Sequence, residues 1–214
     1  MPKFERIAHC PWSENWSGDD LRLIDTNHLL NKPLIQLEKM DGSNHAISKE
    51  FHHARSVDSK SNPWDTYVAS IHGQIRHLLN PNEIIYGENM FAIHSILYEK
   101  LDNYFYVFNI VQDDIFISWN DTEQRCKELG LKTVPVINHY KPFQSTKDLQ
   151  TQLEHYKPTH SYYGSTIEGY VVRNSNSFNR SEFNLNVAKN VRANHVKNFT
   201  TKHWTKNWKK ADLI

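Results

Sequence analysis

The chain has 214 residues, 38% hydrophobic and 23% charged, a composition that excludes a disordered polymer and allows one substantial folded domain, with two being marginal. A formal net charge of +1 excludes a molecule-wide field that would attract a polyanion. It conceals one local bias: from Phe183 to Lys210 there is no Asp or Glu, while Lys189, Arg192, Lys197, Lys202, Lys206, Lys209 and Lys210 all fall there. By itself such a run is a solvated face or a frayed tail.

Cys10 and Cys126 are too few and too isolated for a disulfide framework or a zinc site, which fits a reducing compartment. The opening Met1-Pro2-Lys3-Phe4-Glu5-Arg6 has no apolar stretch of signal-peptide type, and no apolar run approaches membrane-spanning length. The expected location is the cytoplasm, that of the host if the gene is a phage's, with no membrane partner.

In chain order, Leu34 to Glu38 reads as a strand, and His45 to Ser48 as the start of its hairpin partner across Asp41-Gly42. Val68, Ile71, Ile75, Leu78 and Leu79 recur at helical spacing and predict a helix ending before Pro81. Glu83 to Tyr86, Tyr104 to Val111 and Ile115 to Trp119 are strand candidates; Asp121 to Leu129 is a short helix stopped by Gly130. Ser145 followed by Asp148 resembles a capping box for a helix over Lys147 to Tyr156. Gly169 to Arg173 and Asn186 to Val191 complete the strands. Strands and helices do not alternate regularly, so an α+β domain with mostly antiparallel sheets is expected over 1–214, rather than a parallel doubly wound sheet.

The most informative hexapeptide is Lys39-Met40-Asp41-Gly42-Ser43-Asn44, at the end of a strand. Alone, Lys-x-Asp-Gly is a turn. The segments C-terminal to it change that reading: Tyr86-Gly87-Glu88-Asn89, then Phe105 to Ile110, Ile117-Ser118-Trp119, Glu168-Gly169-Tyr170-Val171-Val172-Arg173, and Asn186-Val187-Ala188-Lys189. In this order and at these distances the segments resemble motifs I, III, IIIa, IV and V of the covalent nucleotidyltransferases, with the Gly-Glu segment between I and III. Those enzymes are the DNA ligases, RNA ligases and mRNA-capping enzymes. His53-Ala54-Arg55-Ser56, Gly87-Glu88-Asn89 leading to His94-Ser95-Ile96, and Val191-Arg192, His195-Val196 and His203-Trp204 are similar to the RNA ligase 2-like branch and its short phage and bacterial relatives. The resemblance runs from about Leu37 to Trp204. It implies a ligase-type adenylation domain, ATP-grasp-like in its sheets, without an OB domain.

The resemblance implies ATP and Mg²⁺ or Mn²⁺ as cofactors, AMP carried covalently on Lys39, and RNA as partner, in nicked duplex or hybrid form among the options. It implies roles residue by residue. Lys39 is the nucleophile, which an arginine could not replace because its pKa is too high; burial, nearby cations and a bound metal are expected to favour its neutral form. Asp41 supports Lys39 or the metal's water shell. Arg55 holds ribose and phosphate oxygens, and Glu88 the ribose hydroxyls. Phe108 stacks on adenine, although the ring is equally a core residue of its strand. Glu168 holds the divalent ion, and Lys189 contacts the α-phosphate. Glu38 and Arg173 complete the nucleotide-binding set. Three departures stand out: Arg173 where many relatives have lysine, Asn109 where many have aspartate, and a Lys189-Asn190-Val191-Arg192 segment that leaves open whether Arg192 is the second cation of motif V.

Only 25 residues follow Lys189, too few for an OB-fold or a sizeable extra domain. Phe199, Trp204 and Trp208 are interleaved with the basic residues of that tail, a combination suited to phosphates and exposed bases. Trp12 and Trp16 are read as core residues or further base contacts. The expected activity is joining of 5′-phosphate and 3′-hydroxyl RNA ends in repair, with no obligate protein partner evident. A minimal ligase of DNA or hybrid nicks, and a non-catalytic nucleic-acid-binding protein with a relict ligase fold, are the alternatives.

Overall fold

The computed structural model describes residues 3–16, 18–55, 62–193, 195 and 208–214. In chain order the elements are β1 (Leu34–Lys39), β2 (Ser43–Ser48), β3 (His52–Ala54), α1 (Thr66–Ile75), β4 (Glu83–Asn89), β5 (Phe105–Gln112), β6 (Ile115–Phe116), α2 (Trp119–Leu129), β7 (Lys132–Thr133), β8 (Val136–Tyr140), α3 (Thr146–His155), β9 (Gly169–Asn174), β10 (Phe178–Asn179) and β11 (Val187–Val191). They build two sheets. The four-stranded one has the order β11-β9-β1-β8 and is antiparallel throughout. The seven-stranded one runs β10-β6-β5-β4-β2-β3, with β7 added parallel to β5.

Side-chain alternation decides what lies between the layers. On β9, Tyr170 and Val172 pack with Leu149 and Leu153 of α3, while Val171 turns toward Tyr86, Phe116 and Phe183. On the larger sheet, Ile47, Ile85, Phe105 and Val107 meet Val68, Ile71 and Ile75 of α1 and Cys126 and Leu129 of α2. Each such aliphatic side chain contributes about 1.5–3 kcal/mol when withdrawn from water. Helices therefore cover the outer faces, and the inner faces of the two sheets enclose the region where β1 ends.

Most predicted elements form. Helix α1 starts at Thr66 and passes into a 3₁₀ turn over Arg76–Leu78 before Pro81. Ser145 caps α3 by accepting from the Asp148 N–H. The strand expected over Ile115 to Trp119 stops at Phe116, because Ser118 accepts the Asp121 N–H as the N-cap of α2 and Trp119 is already helical. Gly130, at φ +68°, ends that helix as expected. Strands β3, β7, β8 and β10 are not predicted by the local pattern. Among the described residues no helix is long and apolar enough to cross a membrane.

Candidate active site

The expected β1–β2 hairpin does not form. Both edges of β1 are occupied, by β8 and β9, and both edges of β2, by β3 and β4. Met40 to Gly42 is instead the crossover that carries the chain from one sheet to the other. Gly42 serves it through close approach, since a Cβ there would lie 2.5 Å from Asn89 O and 2.6 Å from Met90 Sδ. Asp41 is clamped beyond it. Its Oδ2 accepts from Ser95 N (2.8 Å), Ser95 Oγ (2.5 Å) and Ile96 N (2.9 Å), and its own N–H donates to Tyr98 Oη at 2.9 Å.

Register brings the carboxylates to Lys39. Lys39 pairs with Gly169, so Glu168 stands beside it, and Asn44 pairs with Glu88 across β2 and β4. The close pairing of Gly169 with β11 leaves no room for a side chain: a Cβ would lie 2.0 Å from Asn190 O. Lys39 Nζ lies 2.8 Å from both carboxylate oxygens of Glu168. Burial works to lower the lysine pKa, but the charges of Glu168, Glu88 and Asp41 and the Glu168 hydrogen bond outweigh it, so the pKa rises above the ordinary value. The ammonium form is thus favoured over the expected neutral one, because carboxylates, Glu168 foremost, face the amine. Glu88 answers in kind. Burial, helped by the Glu168 and Asp41 charges and opposed by Lys39, pushes its carboxyl up to about 8, while Oε1 accepts the Gly42 N–H at 3.2 Å.

A cavity of about 480 Å³ opens beside this cluster. Lys39, Arg55, Glu88, Phe108, Lys189 and Glu38 all line it. Glu38 is buried and its pKa raised by that burial, although Ser161 and the Tyr162 N–H, at 3.0 Å, hydrogen-bond its carboxylate. Asp41 and Glu168 do not line the cavity; they act on it through Lys39.

Arg173 does not reach the cavity either. It is fully buried behind Asn109, donating to Asn109 Oδ1, Ile117 O (2.9 Å) and Asn174 O (3.0 Å), over the Phe178 ring. Among the described residues no carboxylate is within ion-pair distance of it, and burial pushes its pKa down to about 9. Two of the motif departures are therefore one feature, since Arg173 and Asn109 are bonded to each other. Arg192 is also accounted for: its guanidinium donates to Ile167 O (2.6 Å) and Thr166 Oγ1 (3.3 Å) and does not line the cavity.

Sequence reasoning missed the N-terminal contribution. Phe4 to Ile7, with Asp20 and Leu21, form part of the cavity wall. Phe4 meets Phe108 edge-on at 4.9 Å, and the segment is held by Lys189 N to Ala8 O (2.9 Å) and Cys10 N to Lys189 O (2.7 Å). No local periodicity announces such a contact. Trp12 packs beside the core and donates to Tyr170 Oη, whereas Trp16 stays about half exposed under Arg22. Lys197, Phe199, Lys202, Trp204 and Lys206 lie outside the described residues. Trp208 packs against Trp64 and Phe91, and the Lys210 ammonium sits over Phe91 and Tyr104, so these two tail residues are engaged with the domain itself.

The motif pattern includes His195 without giving it a role. Its Nε2 lies 3.4 Å from Glu168 Oε1 and 3.8 Å from Asp41 Oδ1. Asp41, Glu168 and His195 each offer one ligand atom within 4.8 Å of the others, the one such group among the described residues. Two carboxylates and an imidazole are a donor set that fits a divalent ion.

A family model described as RNA ligase matches residues 32–191. Among proteins with curated functions, none matches the chain. A single-substitution mutant of Naegleria gruberi RNA ligase with ATP and Mn superposes with a TM-score of 0.56 at 17% identity, over 78% of this chain and 52% of that one. An archaeal ATP-dependent RNA ligase gives 0.54 at 13% identity, over 90% and 48%. A putative ATP-dependent DNA ligase from Aquifex aeolicus gives 0.50 at 20%, over 78% and 46%. The chain spans about half the length of these structures, and at such identities the likeness shows the fold alone.

Proposed function

The chain belongs to the RNA ligase family, and from that premise we propose that it is an ATP-dependent ligase joining 5′-phosphate and 3′-hydroxyl RNA ends through AMP bound to Lys39. The observation that carries the reading is the convergence of Lys39, Glu88, Arg55, Phe108 and Lys189 on one cavity, with Glu168 at the lysine Nζ. No composition or isolated motif requires that convergence.

In this reading, the Lys39 nitrogen attacks the α-phosphorus of ATP. The bond to the β-phosphate oxygen breaks, and pyrophosphate leaves with the electron pair. AMP then passes to the 5′-phosphate of a polynucleotide, releasing Lys39. The 3′-hydroxyl attacks that adenylated end, expelling AMP and closing the phosphodiester. Phe108 offers adenine a ring face and Glu88 meets the ribose hydroxyls. Arg55 and Lys189 bring positive charge to the phosphates. Lys39 must shed a proton first, and Glu168, bonded to it, is the group that faces that proton. Glu168 and Asp41 would hold a divalent ion, Mg²⁺ or Mn²⁺, whose charge would compete with the ammonium for those carboxylates and offset the phosphates. Glu38 lies at the cavity wall as a further nucleotide contact; Arg173 acts only through Asn109. We place the whole described chain in one adenylation domain, working in cytoplasmic RNA repair.

Incubation with ATP labelled in the α-phosphate should transfer AMP to the wild-type protein, and Lys39→Arg should reduce the adduct to background although charge is kept. No adduct on wild type, after removal of prebound AMP and with either metal, would refute the activity. The Aquifex likeness motivates one second reading, nick sealing on DNA. Equal joining of 3′-ribose and 3′-deoxyribose strands would favour it.

A further inference from the structure

We infer that Asp41, Glu168 and His195 form a mixed oxygen–nitrogen site for a divalent ion, in which the imidazole is a direct ligand and biases the site toward Mn²⁺ over Mg²⁺. The inference deepens the proposed ligase reading by naming the metal preference of the same centre. It rests on that reading for the metal's use, but not for its binding.

Three segments distant in the chain deliver the donors, and each is held from behind. The Asp41 Oδ2 is taken up by Ser95 and Ile96, leaving Oδ1 toward His195. Glu168 is fixed by the Arg192 N–H on its carbonyl oxygen (3.1 Å). The His195 backbone N–H donates to Arg192 O at 3.2 Å, and its carbonyl accepts from Asn15 Nδ2. The His195 side chain is 8% exposed, and its Nδ1 has no hydrogen-bond partner among the described residues.

The spacings from His195 to the two carboxylates are those of ligands around a centre, not of a closed ion pair. A charge-assisted N–H···O bond closes to about 2.7–2.9 Å, whereas His195 Nε2 stands 3.4 and 3.8 Å from its two carboxylates. Donors about 2.1 Å from one ion, at angles from 90° to 180°, lie roughly 3.0–4.2 Å apart. The Lys39 ammonium, 2.8 Å from Glu168, meets the same need for positive charge. The donor chemistry sets the preference. Mg²⁺ favours oxygen ligands and releases its waters reluctantly, whereas Mn²⁺, though the weakest binder of the first-row transition ions, takes an imidazole nitrogen beside carboxylates more readily than Mg²⁺ does.

The test uses the full chain without nucleotide. Mn²⁺ is titrated with free ion read by electron paramagnetic resonance, and nitrogen coupling to the bound ion is read by electron spin echo modulation. Wild type should show directly coordinated nitrogen that is absent from His195→Ala and His195→Gln. The variants should bind Mn²⁺ weaker by about tenfold or more, with Mg²⁺ affinity changed much less. Absence of the nitrogen signal in wild type overturns the inference even if neither variant folds. Its persistence in a folded variant, or an equal loss of both metals, also overturns it. The outcomes separate from those of the ligase reading: lysyl-AMP formation without the nitrogen signal sinks the metal site alone, whereas the signal without any adduct sinks the ligase reading alone.

Discussion

Lys39 and Glu88 share a charge problem. Three carboxylates face one amine, and burial raises Glu88 until its proton is retained at neutral pH. Between its ordinary value of 4.5 and about 8 the folded protein holds a proton that the unfolded chain has released. The associated stability is complete below pH 4.5 and is lost as pH rises through about 8. Glu88→Gln removes that titration, so its melting temperature should fall less between pH 5 and pH 8 than that of wild type; parallel curves would contradict the shift. Arg173 poses the converse problem, a buried cation bonded to neutral Asn109. Asn109→Asp supplies the missing counter-charge within existing contact. It should raise stability by about 1–3 kcal/mol, seen as a higher melting temperature without nucleotide, and a lower one would show that Arg173 needs no anion. Lys39, Glu88 and Glu168 were legible in the sequence because motif order names them. The protonation of the first two was not, since it depends on which groups folding places within a few ångströms.

At the scale of elements the decisive feature is the crossover from β1 to β2. Asp41-Gly42 has the composition of a hairpin turn, yet the flanking strands are each paired on both edges by other strands. The glycine is needed because the crossover passes against the end of β4. Gly42→Ala should therefore cost about 1–3 kcal/mol by overpacking and slow AMP transfer to Lys39, because Asn89 O is backbone and cannot rotate away. Denaturant midpoints and initial adduct rates check this, and an unaltered midpoint would mean that the crossover tolerates a side chain. The strands absent from the local pattern share a cause. β8 has four of its five residues at intermediate burial, and β3 is intermediate throughout, so neither carries the alternation that marks a half-buried strand. The helices were legible because α1 has a regular apolar stripe and α2 and α3 have serine caps.

Across the whole molecule, the cavity lies where the inner faces of two sheets meet, closed on one side by the N-terminal segment running beside β11. Lys189 therefore faces the cavity from one edge strand while Arg55 lines it from just beyond β3 of the other sheet. The acid-free stretch from Phe183 to Lys210 gives the chain its one concentrated source of positive charge. If it meets the polynucleotide, raising salt from about 50 to 200 mM should lower RNA joining by about tenfold or more through counterion effects, and leave AMP transfer to Lys39 nearly unchanged. Equal sensitivity of the two steps would remove the tail from the substrate surface.

The order of residue types along the chain was sufficient to name the family, the lysine proposed as nucleophile, its acidic neighbours and the main helices, since each is written in short contiguous segments. Folding alone decided the rest. That Lys39 sits between sheets, that Phe4 and Arg6 wall the cavity, that Arg173 is spent on Asn109, and that His195 joins Asp41 and Glu168 are all long-range juxtapositions. They depend on strand register and sheet packing, which no local pattern encodes.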